Sequence, residues 1–184
     1  MDTTVMHTKK SLQTEQGFTL VEAMISVVVL TIGLVAVLSV FAVAVSSMQN
    51  VQMDQIARQK ATETLESIFT ARQTAQLSFA SIQNTPNGIF TPGMVPLSDA
   101  GKDGLDGTGD DVVPPAPITV PGSNGVLDGI HDKQISLTNF QRQIQILNIP
   151  SEPNVRQVIV TVRYPGPRGN WRSYSVQALV SSFR

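Results

Sequence analysis

The sequence predicts an α+β protein in which one long N-terminal helix packs on a C-terminal antiparallel sheet of about four strands. Three observations carry this. No proline precedes Pro86, and apolar residues fill Ala23 to Val45 and then recur at helical spacing as far as Arg72. Glycine and proline crowd into residues 84–131, which hold 9 of the 13 glycines and 7 of the 11 prolines, the mark of loop. From residue 132 to residue 184, β-branched residues alternate with polar ones at a period of two, as strands with one buried face do.

Residues 1–17 are polar, with Lys9 and Lys10 and no apolar run, and read as a leader destined for removal. The helix is expected from about Phe18 to about Gln76, roughly 85 Å long at 1.5 Å per residue. Residues 18–45 are its apolar half. No Asp, Glu, Lys or Arg occurs between Ala23 and Met53, and about 20 apolar residues suffice to cross about 30 Å of hydrocarbon. Glu22 is the lone acid at the head of this run, and no basic residue lies between it and Arg58. A carboxylate inside a bilayer costs on the order of 2.5–3.5 kcal/mol at the centre and less near an end, so Glu22 asks for a partner. Gly33 lowers helix propensity by about 1 kcal/mol relative to Ala; a soft point, close helix packing and a tolerated small residue all stand as readings. Residues 46–76 are the amphipathic half. Met53, Ala57, Ala61, Leu65, Ile68 and Arg72 recur at steps of three or four, with Ile56, Thr64 and Phe69 alongside.

Two other origins compete for the apolar run. Ala42-Val43-Ala44 has the small-x-small form of a signal-peptidase site, but the run is far longer than the 7–15 residues of a secretory h-region. A plain membrane anchor is the second.

Residues 84–131 carry only one aromatic, Phe90, and are expected to be mostly loop, with short strands around Ile89-Phe90 and Ile118–Val120. Within them, Asp103, Asp106, Asp110 and Asp111 alternate with glycines. Carboxylates so spaced are candidate calcium ligands, calcium being the one cofactor the sequence suggests. The pattern is not an EF-hand, and a solvated Gly/Asp turn is the competing reading. His131-Asp132 reads as a turn rather than a pair of metal ligands.

In residues 132–184, Ile135 and Leu137 share a face of a first strand, and Ile144 and Ile146 share a face of a second that slips phase at Leu147 and Ile149, as at a bulge. Val158, Val160, Val162 and Tyr164 line a third strand. Tyr174, Val176, Ala178 and Val180 line a fourth. Pro150 and Pro153 are expected to separate strands two and three, and residues 165–170 strands three and four. A sheet with one apolar face needs a cover, and the amphipathic face of residues 53–72 supplies it.

The 184 residues carry a formal net charge of −1, unevenly spread. Residues 84–132 hold seven Asp against Lys102, a balance of −6, whereas residues 133–184 hold one Lys and six Arg against Glu152, a balance of +6. Such blocks can pair within the domain or between neighbours. There is no cysteine and hence no disulfide. His131 is the only histidine beyond residue 17, and no phosphate loop, nucleophile elbow or zinc spacing occurs, so we expect no enzyme. Arg163, Arg168 and Arg172 near Tyr164, Trp171 and Tyr174 read as a solvated outer face, and no nucleic-acid partner is expected.

Gly17-Phe18-Thr19-Leu20-Val21-Glu22 followed by an uninterrupted apolar helix resembles the cleavage and methylation signature of type IV prepilins and type II secretion pseudopilins. The resemblance covers about the first quarter of the chain. It implies cleavage between Gly17 and Phe18 by prepilin peptidase, N-methylation of Phe18, and a role for Glu22 in assembly, where it meets the new amine of a neighbouring subunit. Gly33-Leu34-Val35 and Ala61-Thr62-Glu63-Thr64-Leu65-Glu66 are similar to type IV pilus modification proteins and small minor pseudopilins. The implied partners are the membrane, other pilin or pseudopilin subunits and an inner-membrane assembly platform. The implied site is the inner membrane, N-terminus cytoplasmic and C-terminal domain periplasmic, before transfer into a pilus or pseudopilus. Many pilins carry a disulfide near the C-terminus, and this chain departs from them there. The competing function is an anchored or secreted extracytoplasmic binding domain, calcium-dependent if the Asp loop takes the ion.

Overall fold

A computed structural model describes residues 18–122, 124–166 and 169–183; the leader with Gly17, and Arg168, lie outside these. The chain divides into two compact units, residues 1–46 and residues 47–184. The first helix, α1, spans Leu20–Gln73 and continues through Gly33. It ends short of Gln76 because Ala75 turns left-handed, at φ 63°, and the Leu77 N–H folds back to the Ala71 carbonyl at 2.9 Å.

In the unit of residues 47–184 the expected helical stripe is buried: Ile56, Ala57, Ala61, Thr64, Leu65, Ile68 and Arg72 all face inward. It covers a four-stranded antiparallel sheet of order β1-β4-β5-β6. These strands are β1 (Val95–Pro96), β4 (Gln141–Ile149), β5 (Glu152–Pro165) and β6 (Trp171–Ser181). A separate two-stranded sheet joins β2 (Ile118–Val120) to β3 (Lys133–Ile135). Period-two alternation puts Val158, Val160 and Val162 of β5 at 0 % exposure against the helix, with Ile144 of β4 and Val180 of β6 beside them. Phe90, Leu97, Leu137 and Phe140 close the core from the connecting segments.

Three details differ from expectation. The residues around Ile135 do not supply the main sheet's first strand: β3 pairs with β2, and Val95–Pro96 pairs with Arg142 and Gln141 of β4 instead. Ile89-Phe90 forms only a bridge, Asn84 to Phe90. The irregularity expected in β4 at Leu147 and Ile149 is present, between Asn148 and Ile149. Pro153 lies inside β5; the register there jumps from Asn148–Arg156 to Ile149–Glu152, so the proline sits in the looped-out stretch, where no ladder donor is required of it.

Candidate functional site

Two regions hold the residues the sequence singled out. At the head of α1, Phe18 is 82 % exposed and Thr19 caps the helix. The Thr19 hydroxyl accepts the Glu22 backbone N–H at 3.2 Å, and the Thr19 carbonyl accepts that of Ala23 at 3.1 Å. Thr-x-x-Glu is the capping-box pattern, and it sets the carboxylate in the first turn, where the helix dipole favours a negative charge. Among the described residues no cation pairs with Glu22, so the partner it asks for is not supplied within them. Every large apolar side chain from Leu20 to Val45 is exposed. Two of the hydroxyls among them are satisfied internally: Thr31 donates to the Val27 carbonyl at 2.7 Å, and Ser39 to that of Val35 at 2.9 Å. α1 is long and apolar enough to cross a membrane.

The second region is the acidic loop. Here the four aspartates take different partners. Asp103 accepts the Leu105 N–H at 2.9 Å. Asp110 closes the loop on itself, accepting the Lys102 N–H at 2.8 Å and the Thr108 hydroxyl at 2.7 Å; the Thr108 bond is the main cause holding its carboxyl below the ordinary aspartate range. Asp106 and Asp111 turn inward onto Arg142, whose side chain is 1 % exposed. Its Nη1 lies 3.1 Å from Asp106 Oδ1 and its Nη2 lies 2.9 Å from Asp111 Oδ2. Nη2 also donates to Ser98 Oγ at 2.9 Å, and Thr64 of α1 donates to Asp106 Oδ2 at 2.9 Å. One guanidinium thus ties loop, sheet and helix. Gly107 makes the turn: its φ is +83°, and a Cβ there would stand 2.3 Å from Ile144 Cδ1. Among the described residues no group of three or more acidic, histidine or cysteine side chains is placed to hold a metal ion.

The other candidates separate. His131 Nδ1 lies 2.9 Å from Asp128 Oδ2, and the His131 ring and backbone hold the Asp128 carboxyl well below the usual range. Arg163 lies over the Trp171 ring at 4.7 Å and Arg58 over Tyr174 at 4.9 Å. Tyr174 lies on the inner face beside Val162, and Tyr164 too leaves the outer face. It is buried, and its hydroxyl donates to Asp54 at 2.6 Å.

Sequence reasoning missed two buried arginines, Arg142 and Arg156, and placed a third, Arg72, on the buried stripe without its partner. Arg142 shares parity with Ile144 on β4, Arg156 shares parity with Val158 on β5, and Arg72 lies on the apolar stripe of α1. A cation on a core-facing position announces buried partners. Those of Arg156 are the carbonyls of Phe79, Ala80 and Ile82, and that of Arg72 is the Ser182 carbonyl at 2.6 Å.

Against this geometry, residues 12–38 match the family profile described as the prokaryotic N-terminal methylation motif. No curated protein and no solved structure matches the chain. The match spans the capped helix start, Glu22 and the first part of the exposed apolar run, and what it supports is a type IV pilin-like or pseudopilin protein with a prepilin-type N-terminus.

Proposed function

We propose that the protein is a minor pilin or pseudopilin, a structural subunit of a type IV pilus or type II secretion filament that works by assembly and not by catalysis. The observation that carries this is the methylation motif lying across a capped helix whose apolar residues from Leu20 to Val45 are all exposed. In water that surface is untenable; lipid first, and then the helices of sister subunits, would cover it. Prepilin peptidase removes residues 1–17 and Phe18 becomes the methylated N-terminus. Residues 18–45 then pass from the inner membrane into the filament core through the assembly platform, while residues 46–76 present the periplasmic domain. Glu22 neutralises the Phe18 amine of the neighbouring subunit. The absence of cysteine favours a minor subunit over a major adhesive one.

N-terminal sequencing of the native chain tests this. A methylated Phe18 is expected. A start at Val45 would indicate an exported soluble protein, a retained Met1 a simple anchor, and either would end the proposal. Glu22→Ala should be cleaved normally yet enter filaments at a small fraction of the wild-type level; normal incorporation would refute the pairing.

A further inference from the structure

Three arginines enter the interior of the domain, and two of them are surrounded by acceptors. Arg142 meets Asp106 and Asp111, and Arg156 donates to three backbone carbonyls and to Asn148 Oδ1 at 3.1 Å. Arg72 is supplied far less well. It is 9 % exposed, and its one hydrogen bond among the described residues runs from Nη2 to the neutral Ser182 carbonyl. Its Nε is buried without a partner, and no described carboxylate forms an ion pair with it. Arg72 stands in the last turn of α1, where the helix end supplies roughly half a negative charge. A buried guanidinium asks for a full one, so part of its counter-charge is missing.

Arg72 also lines a cavity of about 330 Å³, a size at which small-molecule sites begin. Phe69 of α1, Val180 near the end of β6, and Phe183 give this cavity its apolar walls. Phe183 lines it while remaining 74 % exposed, an aromatic ring with no cover. Of the polar neighbours, Ser181 Oγ already accepts the Phe183 N–H at 2.8 Å, whereas Gln73 is exposed and presents an amide.

We infer that this cavity binds a carboxylate carried on a small apolar body. The guanidinium completes its counter-charge with the carboxylate, whose two oxygens match the planar fork. The Gln73 amide is a second donor. Phe69, Val180 and Phe183 meet the apolar part, and covering Phe183 removes its ring from water. Inorganic phosphate suits the cavity less, because its additional charged oxygens would face those apolar walls. No residue from Phe18 to Val45 takes part, so the inference stands or falls separately from the filament function.

Magnetic resonance on the isotope-labelled full chain in maltoside micelles supplies the test. N-acetylleucine should move the Arg72 Nε–H signal and the amide signals of Ser181, Ser182 and Phe183 saturably, with a dissociation constant of about 1 mM or below. N-acetylleucinamide keeps the shape without the charge and should bind about tenfold more weakly or worse, as should inorganic phosphate. Phe183→Ala changes an exposed side chain, so the spectrum of the folded domain should persist while binding weakens about threefold or more. Arg72→Lys keeps a cation but not the fork and should weaken binding about tenfold. The same carboxylate at the end of a peptide, as in N-acetyl-Ala-Ala-Leu, separates the two sources of such a ligand. Tighter binding than N-acetylleucine assigns the site to a protein C-terminus, and equal binding assigns it to a free small acid. Signals that do not move, acid and amide binding alike, or Phe183→Ala binding as well as wild type would each overturn the inference.

Discussion

Replacing Arg142 by methionine tests the clamp at the centre of the domain. The guanidinium side chain is 1 % exposed, and the Asp106 and Asp111 side chains that it pairs with are 11 % and 9 % exposed. Methionine keeps much of the aliphatic volume but leaves two carboxylates desolvated without a cation. Breaking a buried pair from one side costs about 3–5 kcal/mol, against a total stability of about 5–15 kcal/mol for a domain. Urea unfolding of a fragment starting at Ser47 measures this, since the buried core side chains all fall between Ile56 and Val180. The m-value should hold while the midpoint drops. Adding Asp106→Asn and Asp111→Asn to Arg142→Met removes the stranded charges and should recover a good part of the loss. A loss under about 1 kcal/mol, where exposed ion pairs fall, would refute the view that these three side chains form a buried electrostatic unit.

Arg156→Met strands the carbonyls of Phe79, Ala80 and Ile82; it should cost about 2–3 kcal/mol and speed limited proteolysis between Leu77 and Gln83, and an unchanged digestion rate would count against that anchoring. The Tyr164 phenol is pushed from 10.0 up to about 12, by burial first and then by its bond to Asp54. Its folded value lies above the unfolded one, so its contribution to stability is full below pH 10 and lost as pH rises towards 12. Absorbance at 295 nm, with Tyr164→Phe as the blank, should show the midpoint near 12, and a midpoint at 10 would contradict the burial. Because Arg142 already engages Asp106 and Asp111, calorimetric titration with millimolar calcium should give a flat trace, and saturable heat would show that the loop takes the ion after all.

Much of the architecture was legible because it rests on long periodic signals. The stripe from Ile56 to Arg72 and the alternation of Val158, Val160 and Val162 survive any local ambiguity, since a slip of one residue would turn the whole set outward. Short strands carry no such redundancy. Val95–Pro96 has two residues and contains a proline, so nothing in its sequence marks it as the neighbour of β4. β3 reads like the rest of the sheet, yet its partner is β2, a choice made by tertiary pairing and not by composition. The helix start was placed near Phe18 by the apolar run, while its cap, Thr19, went unread. The acidic loop was readable as charge but not as destination, because the residue that gathers it, Arg142, lies 31 positions from Asp111. Its parity with Ile144 was the available signal.

The interior of this domain is fastened by guanidinium groups and not by sulfur. Such fastenings need no oxidant to close and leave no mispaired intermediates to unscramble, so maturation should be indifferent to the cell's thiol-oxidising catalysts. In a strain lacking those catalysts the chain should still reach its folded state, and once extracted and denatured it should regain its shape in the presence of reductant.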